Sequence, residues 1–157
     1  LTMNERSWRI IDLAQNLEIS ASEITHGLER LKLSGLIDAE KRKPFQAAAC
    51  EFLIHGLKYV YPAQLGTISR GIPTAHSFCH GKKIVGDLHY VWPSEKGTLK
   101  GISITPIYES APAAALKDEK LHRLLALIDA IRIGRVREQA YARQELEREL
   151  LINELRA

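Results

Sequence analysis

Residues Leu13 to Ile37, LAQNLEISASEITHGLERLKLSGLI, constrain the fold more than any other stretch of this chain. Leu13, Leu17, Ile24, Leu28 and Leu31 recur at helical spacing, while Ala21, Ser22, Thr25, His26, Glu29 and Arg30 fall on the opposite face. Apolar recurrence of this kind marks an amphipathic helix pair. Ser20 followed by Glu23 is an S-x-x-E capping box, which fixes the start of the second helix. The exposed row is small and polar at its N-terminal end, as a helix entering a DNA major groove needs to be. A DNA-binding regulator is therefore the leading expectation.

A helix from about residue 5 to Asn16, capped by Ser7 or Asn4, is expected to precede the turn. Residues 44–60 predict a third helix with Pro44 in its first turn and Ala48, Phe52, Leu53, Leu57 and Val60 as its apolar positions. That helix stands where the second strand of a wing would run, so a wing is expected to be short or missing. Residues 61–117 are punctuated by five prolines and six glycines, which exclude long helices. They are nevertheless too apolar for a flexible linker. We read them as ordered irregular chain wrapping a core, with at most short strands near 88–92 and 98–104.

Helix returns over 112–157. Asp118 is placed to cap a segment with the apolar stripe Leu121, Leu124, Leu125, Ile128 and Ile131, and Gly134 bends or breaks it. Beyond Gly134, Val136, Ala140, Leu146, Leu150 and Leu155 form one apolar seam amid alternating charge, either folded back on the core or paired with a second copy. The predicted architecture is thus mainly α: a winged-helix-like head (1–60), an irregular central wrap with minor β content (61–117) and a long C-terminal helical region (118–157).

Charge patterning adds a constraint. The net charge is +3, yet residues 1–43 carry seven basic and seven acidic groups. Residues 118–157 balance at eight against eight, so the excess lies in the middle segment. A DNA binder normally carries a basic footprint; in the head only Lys41, Arg42 and Lys43 cluster. No apolar run reaches the ~20 residues of a membrane span, the polar opening LTMNERSW lacks a secretory apolar region, and two cysteines are too few for a disulfide framework. A cytoplasmic protein with no membrane association is expected. Cys50 reads as a small buried hydrophobe on the third helix.

The segment from Ser7 to Ile37 resembles the helix-turn-helix of winged-helix transcriptional regulators of the multiple-antibiotic-resistance (MarR) type. Leu13-Ala14, Leu17, Ile19-Ser20, Ile24, Leu28, Leu31 and Ser34-Gly35-Leu36-Ile37 carry the resemblance. It implies that Ser20 to Leu33 is a recognition helix with Ser22, Thr25, His26 and Arg30 facing bases and Ser20 on phosphate. Glu18 stands where such turns prefer glycine, and with the wing replaced, phosphate contacts fall to Lys41, Arg42 and Lys43. The strings FLIHGLKYVYPAQ, SRGIPTAHS, VWP and LHRLLALIDAIRIGRVRE are similar to those of bacterial proteins with a winged-helix start, which implies no reaction.

Ser69 to Ser77 is the most polar, turn-rich string of the centre. It is a candidate ligand or partner loop in which Arg70 forks onto an anion while Thr74 and His76 supply hydrogen bonds. The same side chains read equally as satisfying buried backbone groups and locking the wrap, the outcome we favour. His76, Cys79, His80 and His89 include an H-x-x-C-H string, but a closed zinc site pairs its ligands at set spacings and Lys82-Lys83 oppose a dication, so no metal and no cofactor are expected. No G-x-S-x-G, H-E-x-x-H or P-loop string occurs, and carboxylates are sparse over 52–117, so an enzyme is not expected. Arg132, Arg135 and Arg137, with Asp129 and Glu138 nearby, read as a solvated charged face. Double-stranded DNA is the expected partner and a homodimer through the C-terminal helices the expected state, with an interaction module such as an antitoxin or complex subunit as the alternative.

Overall fold

The computed structural model describes residues 8–41, 43–79 and 89–151. It is mainly helical, with one small three-stranded sheet. Helices α1 (Ile10–Leu17) and α2 (Ala21–Leu33) are followed by α3 (Gln46–Glu51), a π-helical turn (Phe52–Gly56) and α4 (Leu57–Val60). Strand β1 (Leu65–Pro73), short helix α5 (His76–Cys79) and strands β2 (Tyr90–Pro93) and β3 (Leu99–Ile104) form the centre. Helices α6 (Ala111–Lys117), α7 (Glu119–Ile133) and α8 (Val136–Leu151) complete the chain. Among the described residues no helix is long and apolar enough to cross a membrane.

Local chemistry sets the helix ends. The start of α1 is later than expected, at Ile10. Arg9 is the N-cap, with its backbone N–H bonded to the Asp12 carboxylate at 2.9 Å. Ser7 and Asn4 lie outside the described residues. Glu18 ends α1 in the left-handed region at φ 55°, the conformation for which glycine is preferred. Ser20 caps α2 by accepting the Glu23 N–H at 3.2 Å. Past the end of α2, Gly35 adopts φ 71° while its N–H reaches Lys32 and the Leu36 N–H reaches Leu31. That is a Schellman ending, and it requires a residue without a Cβ penalty.

Ile37 and Pro44 form an isolated antiparallel bridge that closes the loop 38–43. Pro44 therefore precedes the N-cap Phe45 of α3 instead of occupying the helix's first turn. The π turn adds one residue per turn and rephases the helix. Cys50, Ile54 and Leu57 are buried against α7 and α8, Phe52 and Leu53 only partly, and Val60 is exposed. This helix is thus joined to the C-terminal core. Burial pushes the Cys50 thiol up, with Glu147 adding to the effect.

The centre departs from the expected irregular wrap. β2 and β3 lie where short strands were expected, but β1 occupies nine residues read as loop. Each strand pairs with both others: β1 runs antiparallel to β2 and to β3, and β2 runs parallel to β3. Closure this tight needs glycine where backbones cross. A Cβ on Gly71 would collide with the Trp92 carbonyl, and one on Gly97 with the Gly71 backbone.

Asp118 caps α7 as expected, accepting the Lys120 and Leu121 N–H groups at 2.9 and 3.1 Å. Gly134 ends α7 outright. Helix α8 then folds back antiparallel, with Arg123 on α7 bonded to Glu149 and Glu145 on α8 at 2.9 and 2.6 Å. The expected seam is divided. Leu146 is buried together with Ala142 against Leu127 and Ile131, while Val136 and Ala140 face solvent. Leu155 lies outside the described residues. The head docks through α1 on α6, where the Ser110 hydroxyl donates to the Leu17 carbonyl at 2.6 Å and Lys117 pairs with Glu18.

Candidate nucleic-acid interface

The exposed face of α2 follows from its burial pattern. Ile24 alone is buried and Leu28 is half-buried, so Ser22, Thr25, His26 and Arg30 stand exposed on the other side. Their spacing brings the four onto one helical face. Two of the candidate contact groups already hold a backbone partner. The Ser20 Oγ accepts the Glu23 N–H, which leaves its O–H as a donor, and the Thr25 hydroxyl donates to the Ala21 carbonyl at 2.9 Å.

The loop 38–43 is tied to this helix. The Asp38 N–H bonds to the Lys43 carbonyl at 2.9 Å, the Lys43 N–H to the Asp38 carboxylate at 3.0 Å, and the Lys41 N–H to the Asp38 carbonyl at 3.0 Å. Lys41 adopts φ 59°, and its ammonium pairs with Glu29 on α2. That pairing holds the Glu29 carboxyl below the usual range. Lys41 is thus partly neutralised, Lys43 is exposed, and Arg42 lies outside the described residues.

Acidic groups temper the face. The Glu23 carboxylate lies beside the Tyr108 phenol and, with burial and the charge of Glu109, pushes that phenol up. Arg30 acts on the same phenol in the opposite direction, which places it near this acidic corner. Glu18, at the α1–α2 turn, is held below the usual carboxylate range by Lys117, with a smaller effect from Lys96.

The expected Ser69–Ser77 loop is not a loop. Arg70 is exposed on β1, whereas Thr74 and His76 are buried at the turn into α5. The Thr74 hydroxyl donates to the Asp129 carboxylate at 2.8 Å, and His76 Nδ1 lies 3.4 Å from Glu138 with its ring edge-on to Tyr90. These two side chains lock the centre to the helices and are not displayed for a ligand. His80 of the H-x-x-C-H string lies outside the described residues.

The buried heart of this lock was misread in the sequence. Asp129 and Arg132 are not on a solvated face. Both side chains are 2% exposed and joined at 2.6 Å. Asp129 also accepts the Trp92 indole N–H at 2.8 Å, and Arg132 donates to the Tyr61 and Thr105 carbonyls at 2.8 and 3.4 Å. Burial pushes the Asp129 carboxyl up, opposed by its bonds from Thr74, Arg132 and Trp92. A charged pair three residues apart inside the apolar run LLALIDAIRI was the available signal. Nearby, His122 stacks on Phe78 with ring centroids 3.7 Å apart and donates from Nε2 to the Pro73 carbonyl at 2.8 Å. Burial pushes its imidazole down. The Asp129 carboxylate is thus held by Thr74, Trp92 and Arg132, and the His122 ring by Pro73 and Phe78.

Compared with known protein families, curated proteins and solved structures, the chain has no significant match.

Proposed function

We propose that this chain binds duplex DNA in a sequence-specific manner as a bacterial transcriptional regulator of winged-helix type, acting as a homodimer. The carrying observation is the face of α2, where Ser22, Thr25, His26 and Arg30 are exposed together beside a short loop held by the Lys41–Glu29 pair. The bridge-closed loop corresponds in order to a minimal wing, since it follows the proposed recognition helix and precedes the next one. Lys41 and Lys43 are the described cations it offers to phosphate, and Ser20 adds a hydroxyl at the helix N-terminus, where the helix dipole favours anions. A neutral head making few contacts binds weakly alone. A second copy doubles the contacts and fixes half-site spacing.

Binding to duplex from the region upstream of the protein's own coding sequence, measured against scrambled duplex of equal length over a range of salt, tests the reading. Preferential binding with a negative salt slope supports it. Arg30→Ala is expected to weaken the preferred duplex by ~1–3 kcal/mol and to relax discrimination. Equal, weak binding to both duplexes refutes it.

An interaction module is the second reading, and a specific surface favours it. Tyr59, Val60, Tyr61, Leu65 and Ile68 are large apolar side chains exposed within ten positions of one another, and such concentrations mark protein contacts. Arg30→Ala leaves a complex made through that surface intact.

A further inference from the structure

The head is charge-neutral, yet the chain is not, and the register of the sheet places part of the surplus. Arg70 on β1 stands directly opposite Lys100 on β3, and both are exposed. Like charges in directly opposed positions destabilise a sheet, and among the described residues neither has an ion-pair partner. A third cation belongs to the same end. The Ser94 N–H bonds to the Arg70 carbonyl at 3.2 Å, and the turn that follows is held by the Gly97 N–H on the Ser94 carbonyl at 3.0 Å and the Lys96 N–H on the Ser94 hydroxyl at 3.2 Å. Lys96 is therefore carried at the tip next to Arg70. Arg70, Pro93, Ser94 and Glu95 line a shallow concavity there, and Glu95 is its one carboxylate.

This end of the sheet lies toward the head. Lys96 acts electrostatically on Glu18, the residue that turns α1 into α2, and Lys117 pairs with the same carboxylate. Arg70 and Lys100 are fixed by strand register, and Lys96, carried on the turn that follows β2, is the member of the group whose charge reaches Glu18 at the N-terminal end of the proposed recognition helix. Their mutual repulsion is relieved when a polyanion lies across them.

We infer that Arg70, Lys96 and Lys100 form a phosphate-binding strip that carries the backbone of duplex DNA away from the head and supplies the positive footprint the head lacks. This rests on the DNA-binding reading above. The strip contacts phosphates only, so it adds affinity and salt dependence without sequence discrimination.

The test is a salt titration of the wild-type chain and of Arg70→Gln/Lys100→Gln on the upstream and scrambled duplexes, with Arg137→Gln/Arg148→Gln on α8 as a charge-matched control. Loss of two phosphate contacts is expected to make the slope of log K against log salt shallower by about 1.8, to weaken both duplexes by the same factor, and to leave their ratio unchanged. The control pair is expected to move the slope far less. Since both residues are exposed and repel one another, unchanged or raised thermal stability of the double variant verifies its fold. A wild-type slope retained in the variant, or an equal change in the control, overturns the strip while leaving the head's Arg30-dependent discrimination standing. No salt-dependent binding by the wild-type chain overturns both.

Discussion

Replacing Asp129 tests whether the polar centre governs the stability of this fold. Asp129→Asn preserves shape and one acceptor oxygen but removes the charge facing Arg132. The guanidinium side chain is 2% exposed, so water does not replace the lost partner, and breaking a buried ion pair on one side costs ~3–5 kcal/mol. Its remaining bonds to the Tyr61 and Thr105 carbonyls soften that penalty. The amide also turns an N–H₂ toward either Arg132 or the Thr74 and Trp92 donors, and an unpaired buried donor adds ~1–3 kcal/mol. An overall loss of about 4 kcal/mol is expected, a large share of the ~5–15 kcal/mol typical of a folded domain. Urea unfolding at neutral pH followed by tryptophan fluorescence reads it. Arg132→Gln and the double variant complete a thermodynamic cycle, in which the double variant should cost less than the two singles together by at least ~1 kcal/mol. A loss under ~1 kcal/mol for Asp129→Asn, or additivity within ~0.5 kcal/mol, refutes the reasoning.

Two further outcomes are expected. His122 has a folded-state pKa pushed down by burial, so the neutral ring is the form the fold prefers. Its contribution is complete above the ordinary histidine value of ~6.5 and is lost as pH falls from there toward the depressed folded-state value. The melting temperature should therefore drop on acidification, and less so in His122→Phe, which keeps an aromatic ring beside Phe78 but does not titrate. Leu146 is completely buried, and Leu146→Ala should cost ~2–5 kcal/mol. Because its neighbours belong to the same chain, that loss in urea unfolding should not depend on protein concentration, as it would for a residue in a dimer seam.

Legibility in the sequence tracked the range of the interactions. Ser20 and Asp118 are caps whose partners lie two or three residues away, and both appear where the sequence placed them. The Gly134 break and the Ser34-Gly35 ending are equally local. Strand β1 was missed because Leu65 to Ile68 is exposed throughout and Gly66, Gly71 and Pro73 interrupt any alternation. Its strandedness comes from β3 and β2, which lie far along the chain. The π turn escaped because it leaves no mark in composition, and the buried Cys50, Ile54 and Leu57 keep the i, i+4, i+7 spacing of an ordinary helix. Within the candidate interface, the exposed row on α2 was readable from helical spacing. The Lys41–Glu29 and Glu23–Tyr108 pairs were not, since each joins separate elements. Thr74 and His76 were singled out correctly as polar residues in an apolar setting, and their partners Asp129 and Glu138 explain them as a lock.

Arg132 holds the carbonyls of Tyr61 and Thr105, one just past α4 and the other just past β3. The whole sheet-bearing segment is thus a loop whose two ends are clasped by a single side chain of α7. Between those carbonyls Thr74 and Trp92 also bond Asp129 and the Pro73 carbonyl accepts from His122, so α7 grips the segment along its length as well as at its ends. Loop closure entropy grows only with the logarithm of length, so added chain is inexpensive between those grips but not across them.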